Sequence, residues 1–225
     1  MREFNVTNFN ELHDVLAQYR ENKGWLFRGH SDSSWKLLPK VGRPPYTGTD
    51  DRRVFEAWKR RAIEYISMTP ETDWDWLAIA QHHGLATRLL DWTTNPLNAA
   101  FFAVREQQDV DAVIYAAQIR LQVVTDKVHP MEYKGVAIFR PRGVVPRITR
   151  QGGLFTIHGT PTNPLESNTD DIMELQRIKV IRAYRPSLLS ELSFYGINSA
   201  TLFPDLDGLS DFVNWTIRTK EYWKW

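Results

Sequence analysis

Residues 81–102, QHHGLATRLLDWTTNPLNAAFF, bring two histidines, an arginine, an aspartate, a tryptophan and three threonines into their first fourteen positions, ahead of an apolar run. Groups that donate, accept or titrate seldom sit among core-forming residues unless something is held there. Asp91, Trp92, Thr93 and Thr94 stand just before Asn95 and Pro96, which read as the N-cap and first residue of a helix. That arrangement makes an anion site from backbone N–H groups, two hydroxyls and the positive end of a helix dipole. Capping accounts for Asn95 but leaves Asp91 and Trp92 unexplained. A carboxylate between Leu90 and Trp92 is expected to be buried and to take a charged hydrogen bond from Arg28 or Arg88.

Arg28 follows Trp25, Leu26 and Phe27 and precedes Gly29, so a permanent charge enters what should be an interior strand. It either pairs with a buried acid such as Asp91 or grips a phosphate or carboxylate at the strand end. His82 and His83 close a helix before Gly84. His83 shares a stripe with Trp76, Ile79 and Ala80, and one of the pair is a candidate base or hydrogen-bonding group. Gln151, before Gly152 and Gly153, can both donate and accept, and the flanking segment reads as a twisted hairpin at a sheet edge. Glu174 is a later carboxylate beside an apolar strand, either solvated or catalytic.

Other chemistries find no support. The chain has no cysteine, adjacent histidines face different ways, and no His-x-x-x-His occurs, so no metal site is expected. Asp205 and Asp207 read as first-turn helix residues rather than as a nuclease pair. No glycine-rich phosphate loop of the Walker or dinucleotide type is present. A net charge of +1 gives no global attraction to nucleic acid, although Arg140, Arg142, Arg147 and Arg150 fall within twelve residues. The N-terminus has no secretory h-region and no run is long enough to span a bilayer, so a cytoplasmic protein without a membrane partner is expected.

The elements that must position these groups follow from periodicity. Helices are expected at 8–20, with Asn8 and Glu11 in capping-box spacing, at 52–67, at 70–83 with Pro70 in the first turn, from Asn95–Pro96 onward, and at 186–195 closed by Gly196. A last helix should turn Leu206, Leu209, Phe212 and Val213 inward. Strands are expected at 25–29, 87–92, 111–120, 135–140 and 177–183. Helices dominate the first half and strands the second. The expected fold is α+β, a single domain over 1–225 with helices packed on a mixed sheet.

FRG at 27–29, the 81–103 stretch, RITRQGGLF at 147–155 and GINSATLFPDLDGL at 196–209 resemble the FRG domain family of bacteria and phages over about residues 8–215. That family's occurrence near mobile elements and defence loci implies a toxin or phage-defence effector, with an antitoxin or nucleic-acid partner. The order Arg28, helices, Thr93–Thr94, helix, strand also resembles, more distantly, the ADP-ribosyltransferases, which implies a split sheet and NAD as substrate. On that likeness Arg28 would clamp the pyrophosphate beside Gly29, Phe27 or Trp92 would stack on a ring, and Thr93 and Thr94 would hold the ribose or amide. His83, Asp91 or Gln151 would stand at the reacting carbon. The family's Gln/Glu-x-Glu motif is missing, with Gly153 in the glutamate's place. The alternative is therefore a non-catalytic module sensing a nucleotide or nucleic acid.

Overall fold

The computed structural model of the protein describes residues 1–220 except 22–23, 68, 107, 124, 126, 143–150 and 169. Arg147 and Arg150 lie outside the described residues, so the expected arginine cluster is represented by exposed Arg140 and by Arg142, which pairs with Glu71.

The run AVIYAAQI forms β4 (Ala112–Ile119), buried almost end to end, as a strand covered on both faces must be. It pairs antiparallel with β7 (Ile172–Val180) on one side and β2 (Leu26–His30) on the other. Beyond β7, β1 (Arg2–Val6) forms a parallel edge. Beyond β2 follow β3 (Leu89–Thr93), β6 (Gly153–His158) and β5 (Val136–Phe139), all antiparallel. The sheet order is β1-β7-β4-β2-β3-β6-β5, and with seven α-helices among the described residues the fold is α+β, as expected. One strand reading needs correction: the polar run at residues 2–6 gave no strand signal. The strand after Gly152 is β6, which pairs antiparallel with the edge strand β5.

The caps place the helices. Asn8 accepts from the Glu11 N–H at the start of α1 (Phe9–Ala17), and Asp50 accepts from the Arg53 N–H at the start of α2 (Asp51–Ala62). α3 (Asp73–His82) begins after Pro70, which was expected in its first turn, and is capped by Thr72; Asn95 caps α4 (Pro96–Val104) with Pro96 in its first turn. Next come α5 (Arg185–Phe194), α6 (Ser199–Leu202) and α7 (Leu206–Arg218). Asp205 is the α7 N-cap and Asp207 lies in its first turn. The face of α7 departs from expectation: Leu206 and Leu209 are exposed, while Gly208 and Thr216 are buried. A β-carbon on Gly208 would come within 2.2 Å of the Phe203 carbonyl oxygen, so close backbone approach, not leucine packing, seats this helix. No helix among the described residues is long and apolar enough to cross a membrane.

Two contacts fix the surroundings of β2. Arg185, 4% exposed, donates to the carbonyls of Ser31, Ala103, Glu106, Gln108 and Val110. It thereby neutralises the C-terminal end of α4, where carbonyls carry partial negative charge. On the α4 side, Ala99 and Ala103 let the helix lie directly on β2 at Gly29, whose added β-carbon would meet the Ala99 carbonyl oxygen at 2.0 Å and the Ala103 nitrogen at 2.5 Å. Both obstacles are backbone and cannot swing aside. Gly29→Ala should therefore cost about 1–3 kcal/mol or more by overpacking, seen as a melting point lower by roughly 2–4 °C per kcal/mol. An unchanged melting point would mean that α4 does not pack as described.

Candidate functional site

The β2–β3 pairing is a single residue pair, Phe27 opposite Thr93. An unbroken antiparallel ladder would next place Gly29 opposite Asp91. That pairing is absent, and the Asp91 carbonyl instead accepts from Arg28 Nη1 at 2.7 Å. The guanidinium thus acts as a wedge between the strands. Its Nε donates to His30 Nε2 at 2.9 Å, Nη1 also lies 3.5 Å from Asp91 Oδ2, and Nη2 makes no hydrogen bond among the described residues.

A cavity of about 400 Å³ opens at this break, within the range of small-molecule sites. Arg28, Arg43, Arg105, Asp91, Glu106 and Gln151 supply much of its polar lining, with His30, Gln81, His82 and Trp35 beside them. Burial pulls the Arg28 and Arg43 guanidiniums below their ordinary range, and Asp91 opposes that in both. The Arg105 guanidinium lies 4.7 Å over the Phe203 ring, a cation–π contact that fixes its direction.

Asp91 differs from expectation. Its side chain is 54% exposed, because the break in the ladder leaves the carboxylate at the cavity rather than under a neighbouring strand. Arg88 is not its partner but forms a two-pronged pair with Asp51, both contacts at 2.7 Å. Gln81 Nε2 holds Asp91 Oδ2 at 2.9 Å. The Asp91 carboxylate only accepts, so it fixes the Gln81 amide with its nitrogen toward Asp91 and its Oε1 toward the Thr87 hydroxyl, which donates to it and accepts from the Leu89 N–H.

The remaining expected residues divide. Gln151 lines the cavity, its Nε2 donating to the Leu202 carbonyl and its own carbonyl accepting from Thr93 and Asn98. Thr93 is at the site but its hydroxyl is consumed, donating to Gln151 and accepting from the Asn95 N–H. The Thr94 N–H is bonded to the Gly152 carbonyl, so the α4 N-terminus does not form the expected anion site. Phe27 and Trp92 line the cavity but turn their rings into the core. Phe27 lies edge-on to Tyr19, and Trp92 donates to Thr156. Gly29 serves the α4 contact. His83 belongs elsewhere, exposed in a groove with Trp58, Tyr65 and Ile79, while His82 faces the cavity. A one-residue error in helix phase separates the two. Exposed Glu174 pairs with Gln176 on β7 and does not reach the cavity. His30, Trp35, Arg43, Arg105 and Glu106 were not singled out by the sequence reading. Arg43 stands in the run VGRPPYTGTDD at 41–51, a loop rich in proline and glycine.

The described residues also hold one group with metal-ligand spacing, Glu56, Asp73 and His129, whose ligand atoms lie within 4.8 Å of one another. Asp73 there is already engaged by Lys59 and by His129 Nε2. Because His129 Nδ1 accepts from the Met131 N–H, Nε2 carries the proton and is not available to a metal.

Burial, with Arg28 close by, drives both His30 and His158 down to about 3. Unfolded, each would bind a proton near pH 6.5, so between pH 6.5 and 3 the unfolded chain holds more protons and stability falls with falling pH. Down to pH 5, above the carboxylate range, each histidine should contribute a slope of up to about 1.4 kcal/mol per pH unit. Unfolding free energies measured at pH 7, 6 and 5 should show this slope, and a His158→Gln variant should show about half of it. Asp91→Ala, by contrast, removes a half-exposed carboxylate and should cost less than about 1 kcal/mol. A loss of 3–5 kcal/mol in denaturant melts would restore the buried-pair reading.

Comparison with known proteins gives one match: residues 23–112, from just before β2 to the first residue of β4, match the family model of the FRG domain. No curated protein and no solved structure matches the chain.

Proposed function

We propose that this chain, whose residues 23–112 match the FRG domain model, binds a phosphate-bearing nucleotide in the cleft between β2 and β3, with NAD the first candidate. The observation that carries this reading is a cavity lined by three arginines, Arg28, Arg43 and Arg105, together with two acids, Asp91 and Glu106. Partly desolvated cations with an open Nη2 edge gain most from a ligand that brings its own negative charge and planar oxygens, and a diphosphate does both. The more distant resemblance to ADP-ribosyltransferases assigns Arg28 the same duty.

A second reading adds turnover, by NAD cleavage or ADP-ribose transfer. It is favoured by Asp91, whose carboxylate reaches the cleft with one oxygen held by Gln81, a charge placed to stabilise an oxocarbenium-like ribose. Against it stands Glu174, away from the cleft on β7, so that Asp91 and Glu106 are the acids available. Binding is therefore placed first and chemistry second. A role as toxin or phage-defence effector, with an antitoxin partner, belongs to this second reading, and a nucleic-acid partner to the first, non-catalytic one.

The test is incubation with NAD, reading both affinity and nicotinamide release. Saturable binding is expected, and Arg28→Lys should weaken it about tenfold or more while the fold is kept, since lysine retains charge but loses the fork. Nicotinamide release abolished by Asp91→Asn would put turnover first. Failure of NAD, ADP-ribose and ADP alike to bind would end the nucleotide reading.

A further inference from the structure

Trp35 is an exposed indole on a segment that is tied down. The residue is 45% exposed and borders the cleft. Its backbone is held on both sides by side chains from distant elements. Arg185 donates to the Ser31 carbonyl at 2.8 Å and Arg177 to the Ser33 carbonyl at 2.7 Å. Tyr115 donates to the Trp35 carbonyl at 3.1 Å, and Glu166 accepts from the Leu37 N–H at 3.0 Å. The Ser33 N–H donates to Asp111 and the Leu37 carbonyl accepts from Leu165. Residues 31, 33, 35 and 37 are thus each anchored. An exposed tryptophan on a loose loop is ordinary, but here the ordering cost is already met by the fold, which is the condition for a pre-organised contact surface.

Its neighbours give the surface a direction. The indole meets the His30 ring edge-on at 6.1 Å, and His30 accepts from Arg28 Nε. One end of the platform therefore adjoins the guanidinium that faces the cleft. The indole N–H makes no hydrogen bond among the described residues. The other large rings at the cavity are engaged: Phe27 and Trp92 in the core, and Phe102 edge-on to Phe203.

We infer that Trp35 is the platform on which the ligand's nucleobase stacks, beside the arginines that take its phosphates. This deepens the reading of the cleft as a nucleotide site and rests on it. Base–indole stacking of the usual strength corresponds to about a five- to hundredfold change in affinity.

The experiment compares ADP with inorganic pyrophosphate, which carries the charge without the ring, on the full chain and its Trp35→Ala and Trp35→Phe variants. Trp35→Ala should weaken ADP about five- to hundredfold and leave pyrophosphate unchanged, and Trp35→Phe should retain most of the ADP affinity. The melting point should hold, since the anchors are backbone bonds. Should Trp35→Ala melt early, etheno-ADP with Trp35→Phe decides: quenching of the bound base by the indole should fall while pyrophosphate affinity holds. Equal ADP affinity in wild type and Trp35→Ala, alongside a loss in Arg28→Lys, would overturn the platform and leave the nucleotide reading standing. Failure of wild type to bind both ADP and pyrophosphate would overturn the nucleotide reading and the platform with it.

Discussion

A guanidinium placed inside a sheet is the constraint around which this structure is arranged. Arg28 stays charged, and an unpaired charge in the interior costs several kcal/mol. Its solution is to spread across the gap between β2 and β3, taking the Asp91 carbonyl that Gly29 would otherwise have faced and the lone pair of a neutral His30. Each consequence is local and physical. The ladder stops after one pair, the strands part, and a cavity opens where a continuous sheet would have been closed. The same charge, added to burial, keeps His30 and His158 unprotonated.

The opposite side of β2 answers this opening with closure. Gly29 alternates with Arg28 along the strand, so it points toward α4, and the absence of a side chain lets Ala99 and Ala103 press their backbone onto the sheet. Aromatic, arginine and glycine therefore do three different jobs in three consecutive residues. Phe27 fills the core, Arg28 parts the strands, and Gly29 admits the helix. The other buried arginines follow the same rule of satisfying charge with fixed partners. Arg185 is capped by carbonyls at the end of α4, and Arg88 is clamped to Asp51.

Much of this was legible where the controlling interactions are short in sequence. The α+β class, the Asn95–Pro96 helix start, the buried AVIYAAQI strand and the placing of Arg28 on an interior strand all follow from patterns within about ten residues, although Arg28 stands at the middle of β2 and not at its end. The features that escaped depend on pairings across the chain. Asp91 reads as buried if its strand is taken as continuous with its neighbour, and only the register of residues 27 and 93 reveals the break. β1 owes its state to parallel pairing with β7, which no local alternation announces. The α7 face was misjudged because glycine and threonine, rather than leucine, occupy the tight contact. Trp35 was one tryptophan among nine, and its anchoring residues lie between 78 and 154 positions from the atoms they hold.

The spacing of glutamine, threonine and aspartate in QHHGLATRLLDW now has a physical account. Leu89 donates to Thr87, Thr87 to Gln81, and Gln81 to Asp91, the acceptor-only carboxylate at the end fixing the sense of the amide before it. The chain of bonds begins at a strand N–H, crosses to the end of α3 and returns to the same strand four residues after Thr87. It could not be built without the turn at Gly84, which brings Gln81 back over Thr87. Its outcome is a carboxylate with Oδ2 restrained and Oδ1 unbonded among the described residues, held at the surface of the cleft. A buried ion pair would need both oxygens engaged. A solvated side chain would need neither. Restraint of one oxygen only is the arrangement that leaves an oriented acceptor facing whatever the arginines bring in.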